Sequence, residues 1–266
     1  MSRLVVVSNR VAVPREGQTV QGGLAVGLLA ALEASGGLWF GWDGRVTDGN
    51  VRTPRSITRG KVRFVTMPLG RADYDGYYRG YANSVLWPLC HERIDLLGYE
   101  RHYDEAWERV NALFARKLLP RLDAGDLIWI HDFHLIPLAN YLRQAGVDSP
   151  IGFFLHVPFP PYDIFRILPR HVHILRYLCA HDVVGFQTDI DQRSFVECVR
   201  SALPEARVRG SNITIGRWTC QAKVYPIGVD VDEIQSTARA GRASTPGRRL
   251  LESARGRRLI IGVDRL

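Results

Sequence analysis

The chain has 266 residues, a formal net charge of +8, 46% hydrophobic residues and 23% charged residues. These proportions exclude collagenous, low-complexity and disulfide-scaffold classes and leave one large α/β domain or two small ones. The charge is local: seven arginines (239, 242, 248, 249, 255, 257 and 258) face one acid, Glu252, so that stretch carries +6 and the remainder only +2.

In chain order, the first strand is expected at Leu4–Val7, followed by a polar loop and a helix over Gly23–Ala34 with Leu24, Leu28, Ala31 and Leu32 on one face. A strand is expected at Val62–Thr66, then an aromatic-rich segment between residues 73 and 103, then a helix over Trp107–Leu119. Strands at Leu127–Ile130, Ile151–Leu155 and Val183–Phe186 follow, with helices over Leu135–Leu142 and Gln192–Leu203 and a last core strand at Lys223–Tyr225. Strand–helix alternation of this kind predicts an open, doubly wound parallel sheet. The Arg-, Gly- and Ser-rich stretch 239–258 with Pro246 reads as a linker, and Leu259–Asp264 reads as one more strand, with no helix after it.

The ends and the cysteines set limits on location. Asn9 and Arg10 interrupt the only apolar run near the N-terminus, so no secretory signal is expected. The segment Leu24–Leu32 is too short to span a bilayer. Cys90, Cys179, Cys198 and Cys220 are widely and irregularly spaced, which fits reduced thiols in a cytoplasmic protein. His131/His134 and His171/His173 lack a third and fourth ligand, so no metal site is expected.

In an open α/β sheet, ligands gather at the carboxyl ends of the strands. Here those ends carry Ser8-Asn9-Arg10, His131-Asp132-Phe133-His134, His156 and Gln187-Thr188. Together they offer a guanidinium, a carboxylate, imidazoles and an amide to one rim. Gly22 and Gly23 open a helix, where backbone N–H groups and the helix dipole suit a phosphate, although taken alone a plain strand-to-helix turn is the stronger reading of them. Their spacing is not the dinucleotide fingerprint, which disfavours a nicotinamide dehydrogenase. No Gly-x-Ser-x-Gly elbow is present, which disfavours an α/β-hydrolase. Asp132 and His156 follow apolar strands, where a charge needs a partner, and Tyr and Trp residues between 73 and 103 suit either a core or the faces of a sugar.

These blocks occur together and in order: Val7-Ser-Asn-Arg10, Gly22-Gly-Leu-Ala-Val-Gly27, Gly37-Leu-Trp-Phe-Gly-Trp42, Val85-Leu-Trp-Pro88, Trp129-Ile-His-Asp-Phe-His-Leu135, Gly152-Phe-Phe-Leu-His-Val-Pro-Phe-Pro160, Gly185-Phe-Gln187 and Tyr225-Pro-Ile-Gly228. As a set they resemble the trehalose-6-phosphate synthases. The resemblance implies an α/β fold of GT-B type, two Rossmann-like domains facing across a cleft, with no cofactor or metal. It implies a retaining glycosyltransferase that moves glucose from a nucleotide-glucose, UDP-glucose first among them, to glucose-6-phosphate in trehalose biosynthesis. By motif position, Arg10 resembles the ligand of the acceptor phosphate, Tyr78 and Asp132 resemble acceptor contacts, and Trp87 resembles the aromatic that shapes acceptor choice. Gly22 and Gly23 match the loop at the donor diphosphate, His156 matches the histidine on the donor sugar, and Arg265 matches a donor-diphosphate ligand. Asp132 and His156 are the expected catalytic pair. The resemblance further implies that the acceptor hydroxyl is delivered on the face of the leaving group, with the leaving phosphate as base.

The resemblance also predicts a domain layout: residues 1–237 as the acceptor-side domain, 238–257 as the Arg-rich linker, and 258–266 as the first strand of a donor domain otherwise almost entirely missing. A chain so limited is expected to bind acceptor weakly and to lack turnover. The alternatives are a related sugar-phosphate or glucosylglycerol-phosphate synthase, and a catalytically incomplete fragment that binds sugar phosphate or a homologous subunit. The sequence leaves a homo-oligomer open. Nucleic acid and membrane are not expected partners, because the arginines cluster in a predicted linker and not on an aromatic sheet or a helix.

Overall fold

The computed structural model describes residues 2–14, 23–49, 53–228, 230–258 and 260–262, and for 23–26 the backbone only. The chain divides into two units, Met1–Pro226 and Ile227–Leu266.

Among the described residues the first unit has ten strands: β1 (Leu4–Arg10), β2 (Gly37–Thr47), β3 (Arg55–Arg59), β4 (Val62–Gly70), β5 (Leu127–His131), β6 (Ile151–Phe154), β7 (Val183–Phe186), β8 (Arg207–Arg209), β9 (Asn212–Ile215) and β10 (Trp218–Val224). They form one sheet in the order β3-β4-β2-β1-β5-β6-β7-β10-β9-β8. From β4 through β10 every pairing is parallel, and antiparallel β3 and β9–β8 flank that parallel block. The parallel strands are apolar on both sides because helices cover both faces. Along β1, Val5 and Val7 enter the larger core and Val6 the smaller one; Leu38 and Phe40 of β2 likewise oppose Trp39.

Helix α1 (Gly23–Ser35) places Leu28 and Leu32 in the smaller core with Trp39, Val62 and Phe64. The larger core lies under α2 (Arg101–Leu118), α3 (Leu138–Gln144), α4 (His171–Leu178) and α5 (Asp189–Ala202), which bury Trp107, Phe114, Leu142, Leu175 and Phe195. A π-wound helix, Tyr74–Leu86, joins them through two short α turns, Arg71–Asp73 and Trp87–Cys90. It packs closely on α2: a methyl at Gly80 would lie 2.3 Å from the Tyr103 ring, and one at Gly76 would lie 2.5 Å from Ala106 Cβ.

The second unit contains α6 (Val231–Ala243) and α7 (Thr245–Ser253). The stretch expected as a linker is therefore helical over most of its length. Its apparent breakers have helical jobs: Ser244 Oγ accepts from the Gly247 N–H as the N-cap of α7, and Pro246 sits in the first turn, where a missing N–H costs nothing. Residues 260–262, within the expected strand 259–264, are not in a strand, while 259 and 263–264 lie outside the described residues. Among the described residues no helix is long and apolar enough to cross a membrane.

Candidate functional site

Strand order locates the site. From β1 the chain runs outward through β2 and β4, then returns to place β5, β6 and β7 on the other side of β1. Connections therefore diverge between β1 and β5, opening a crevice at their carboxyl ends. Arg10 ends β1, Asp132 follows β5, and His156 follows β6 by one residue beyond Leu155.

A bulge prepares the end of β1. Ser8 pairs with Gly41 and Arg10 with Trp42, so Asn9 is the extra residue. It turns inward, where its Oδ1 accepts a 2.8 Å hydrogen bond from the buried Tyr77 hydroxyl. Arg10 is exposed, and its guanidinium lies 6.0 Å from the Trp42 ring centroid and against Gly44. Gly44 has φ +86°, and a methyl there would fall 2.9 Å from Arg10 Nη2, so glycine serves both the turn and the space. Among the described residues Arg10 has no carboxylate partner, and a planar cation so placed suits a phosphate.

From Arg10 a run of largely buried rings leads towards Asp132. Trp42 lies 5.4 Å from Tyr78, and Tyr78 stacks on Tyr74 at 5.5 Å and on His134 at 5.8 Å, within 15° of parallel. The sequence motifs assigned Tyr78; Trp42 and His134 are additions. Trp42 was legible only as part of a motif block, and His134 as a strand-end residue within another block, without an assigned role. Trp87 stands apart: it is 40% exposed and its ring partner among the described residues is His91, at 4.2 Å.

Asp132 has φ 75° and ψ 162°, a region almost reserved for glycine. Its surroundings hold it there. The Asp132 N–H donates to Phe154 O at 2.8 Å, and its carbonyl accepts from the Leu135 N–H at 3.0 Å. Its Oδ1 accepts from the Phe133 N–H at 3.1 Å and the His156 N–H at 3.3 Å. Below it, the His134 carbonyl accepts from Trp107 Nε1 and Asn111 Nδ2 of α2, which fixes the turn on the core. Burial pushes the Asp132 carboxyl up to about 6 against the two N–H donors that favour its charge. It is ionised at neutral pH yet strongly disposed to accept a hydrogen bond from a hydroxyl.

The histidines are held neutral by burial, which pushes His134 down to about 3 and His156 to about 4. His131 also lies well below its ordinary range, from burial first and the neighbouring His156 second. His131 Nδ1 and His156 Nε2 are 3.0 Å apart. Thus the structure brings Asp132 and His156 together and links Arg10 to Tyr78 through Trp42. Gly23 is the first residue of α1, whereas Gly22 and Arg265 lie outside the described residues. Among the described residues no group of three or more His, Cys, Asp or Glu is arranged to hold a metal ion.

Known proteins resemble this chain over nearly its whole length. A trehalose-6-phosphate synthase of Klebsiella pneumoniae is 45% identical over 244 residues, 90% of this chain and 50% of that protein. The crystal structure of a UDP-forming α,α-trehalose-phosphate synthase of Burkholderia xenovorans in complex with glucose-6-phosphate superposes with a TM-score of 0.88 at 44% identity, over 96% of this chain and 56% of that one. A structure from E. coli bound with UDP-2-fluoro glucose superposes at 0.84 with 42% identity, over 95% and 54%. The fold is accordingly the GT-B type α/β fold in its N-terminal, Rossmann-like part. The chain spans about half the length of the curated relatives it matches. The family model described as glycosyltransferase family 20 matches residues 2–266, and the chain belongs to that family.

Proposed function

We propose that the chain supplies the acceptor side of a retaining glucosyltransferase that moves glucose from UDP-glucose to glucose-6-phosphate, giving trehalose-6-phosphate. The observation that carries this reading is the strand-end rim, where a guanidinium with no carboxylate partner among the described residues, an aromatic run and a carboxylate follow one another from Arg10 through Trp42 and Tyr78 to Asp132. A sugar phosphate needs those three features in that sequence: a forked donor for the dianion, apolar faces for C–H groups and an acceptor for hydroxyls. The relatives' bound glucose-6-phosphate and UDP-2-fluoro glucose support both substrates.

In this reading Arg10 holds the acceptor phosphate and Asp132 accepts from an acceptor hydroxyl. Trp87 borders the acceptor, His156 meets the donor sugar, and Gly22, Gly23 and Arg265 approach the donor diphosphate. The bond from the donor anomeric carbon to the diphosphate oxygen breaks as the bond to the acceptor hydroxyl forms on the same face. The hydroxyl proton passes to the leaving diphosphate, so no protein nucleophile is required. Holding both sugars in place removes much of the entropic barrier, and fixed positive groups stabilise the departing charge. Met1–Pro226 is the acceptor-side unit in this scheme, and the strand expected at 258–266 belongs to the donor side. The enzyme works in the cytoplasm, where four buried free thiols stay reduced.

Calorimetric titration of the chain with glucose-6-phosphate, and separately with UDP-glucose, tests the proposal. Saturable glucose-6-phosphate binding that Arg10→Gln weakens supports it. A folded chain that ignores glucose-6-phosphate at millimolar concentration overturns the acceptor assignment.

A further inference from the structure

His131 is wholly enclosed at the end of β5, paired with Ser8 of β1 and flanked by the Trp129 ring at 4.3 Å. Its Nδ1 lies 3.0 Å from His156 Nε2, and its Nε2 is buried with no partner among the described residues. Two neutral imidazoles at that distance share one proton, so one nitrogen donates and the other accepts. Were the bond donated by His156, the His131 proton would sit on Nε2 as a buried N–H with no acceptor. Were it donated by His131, the atom left over would be a lone pair. Buried N–H groups without acceptors are the rarer case, and each costs its full desolvation.

We propose that His131 is a positioning residue that donates from Nδ1 to His156 Nε2 and so fixes His156 as the Nδ1–H tautomer. The consequence is directional. His156 Nδ1 is neither hydrogen-bonded nor fully buried among the described residues, so the open edge of the ring presents a donor, not an acceptor. Its backbone is anchored separately, through the 3.3 Å bond from its N–H to Asp132 Oδ1. Adjacent residues of one turn therefore hold His156 twice, His131 by the ring and Asp132 by the main chain. A ring held in this way discriminates: it rewards a ligand oxygen that can accept and rejects a group that can only donate. That this ligand is the donor sugar rests on the function proposed above; the tautomer does not.

The test is nitrogen-15 spectroscopy of the ligand-free chain, with histidine labelled and His131 and His156 assigned by single substitutions. The expected result is a protonated-nitrogen shift at Nδ1 and an unprotonated one at Nε2 of His156, with scalar coupling across the bond to a protonated His131 Nδ1. His131→Phe should abolish that coupling and change the His156 pattern, whereas His131→Asn, whose amide can donate from nearly the same point, should restore it. A His156 protonated at Nε2 in the unsubstituted chain, assigned through a His156 substitution, overturns the proposal even if His131→Phe fails to fold. A His156 pattern identical in a folded His131→Phe chain overturns it too. Because no ligand is added, failure of the proposed glucosyl transfer would leave this result intact.

Discussion

Asp132→Asn separates what the site needs from what the fold prefers. Burial lifts the Asp132 carboxyl from 3.8 to about 6, which at about 1.4 kcal/mol per unit disfavours the ionised side chain by roughly 3 kcal/mol at neutral pH. The side chain is 18% exposed, and solvent screening trims this to about 2 kcal/mol. Asparagine copies the protonated acid. Its carbonyl oxygen can keep the N–H donors of Phe133 and His156, and its amide is directed towards His134 Nδ1, which has no hydrogen-bond partner among the described residues and lies 3.9 Å from Asp132 Oδ2. Asparagine also tolerates positive φ better than most residues. The variant should be more stable than the parent at pH 7.5 by about 2 kcal/mol, a gain of several degrees in melting temperature. The sign follows from linkage: a carboxyl raised on folding binds more protons in the native state, so the parent loses stability as pH climbs from about 4 to 6. The advantage of the variant should therefore shrink as pH falls and vanish only below the unfolded value of 3.8. Urea unfolding at pH 4.5, 6.0 and 7.5 reads both effects. An asparagine variant weaker than the parent at pH 7.5, or a gap independent of pH, would refute the reasoning. Glucose-6-phosphate affinity should fall in the same variant, because an amide is a poorer acceptor than a carboxylate.

Three other outcomes are expected. His134 and His181, pushed by burial to about 3 and about 4, should cost the native state stability as pH falls below 6.5, where the unfolded chain takes up protons first; a urea midpoint that stays flat from pH 7 to 4.5 would contradict this. Gly80→Ala drives a methyl into the Tyr103 ring and should lower stability by about 1–3 kcal/mol in thermal melts, and an unchanged melting temperature would mean that the π-wound helix shifts freely on α2. Arg10→Gln should reduce glucose-6-phosphate affinity about tenfold or more, the value of a charge-assisted bond, while leaving unfolding unchanged because Arg10 is exposed; equal affinity in calorimetry would remove Arg10 from the site.

Much of this was visible in the sequence where a single local signal dominated. The apolar runs of β1, β5, β6 and β7 announce fully buried parallel strands, and their polar ends form the crevice rim. Helix α2 was placed by its repeat of Val110, Leu113, Phe114 and Leu118, although it starts six residues earlier, at Arg101. β2 escaped because Gly37-Leu-Trp-Phe-Gly-Trp42 is buried on both faces and shows neither alternation nor a helical repeat. A π-wound helix shifts the buried positions to Tyr77, Tyr81, Val85 and Leu86, and its glycines argue locally against any helix. Gly76 and Gly80 are needed only because α2 presses on them, a long-range fact. The aromatic run from Trp42 to His134 joins residues far apart in the chain and has no local signature. The 239–258 stretch misled for the opposite reason: its Ser, Pro and Gly read as breakers but lie at a helix junction.

The edges of the sheet bear on behaviour in solution. The outermost strands, Arg55–Arg59 and Arg207–Arg209, are short, and each begins and ends with arginine. Their outer N–H and C=O rows are templates on which a second molecule could extend the sheet. Like charges meeting across such a seam repel, and short strands offer few bonds in return. A sheet of ten strands with an apolar parallel centre is thus bordered by cationic margins that discourage its own growth into fibrils, a use of arginine that has nothing to do with phosphate.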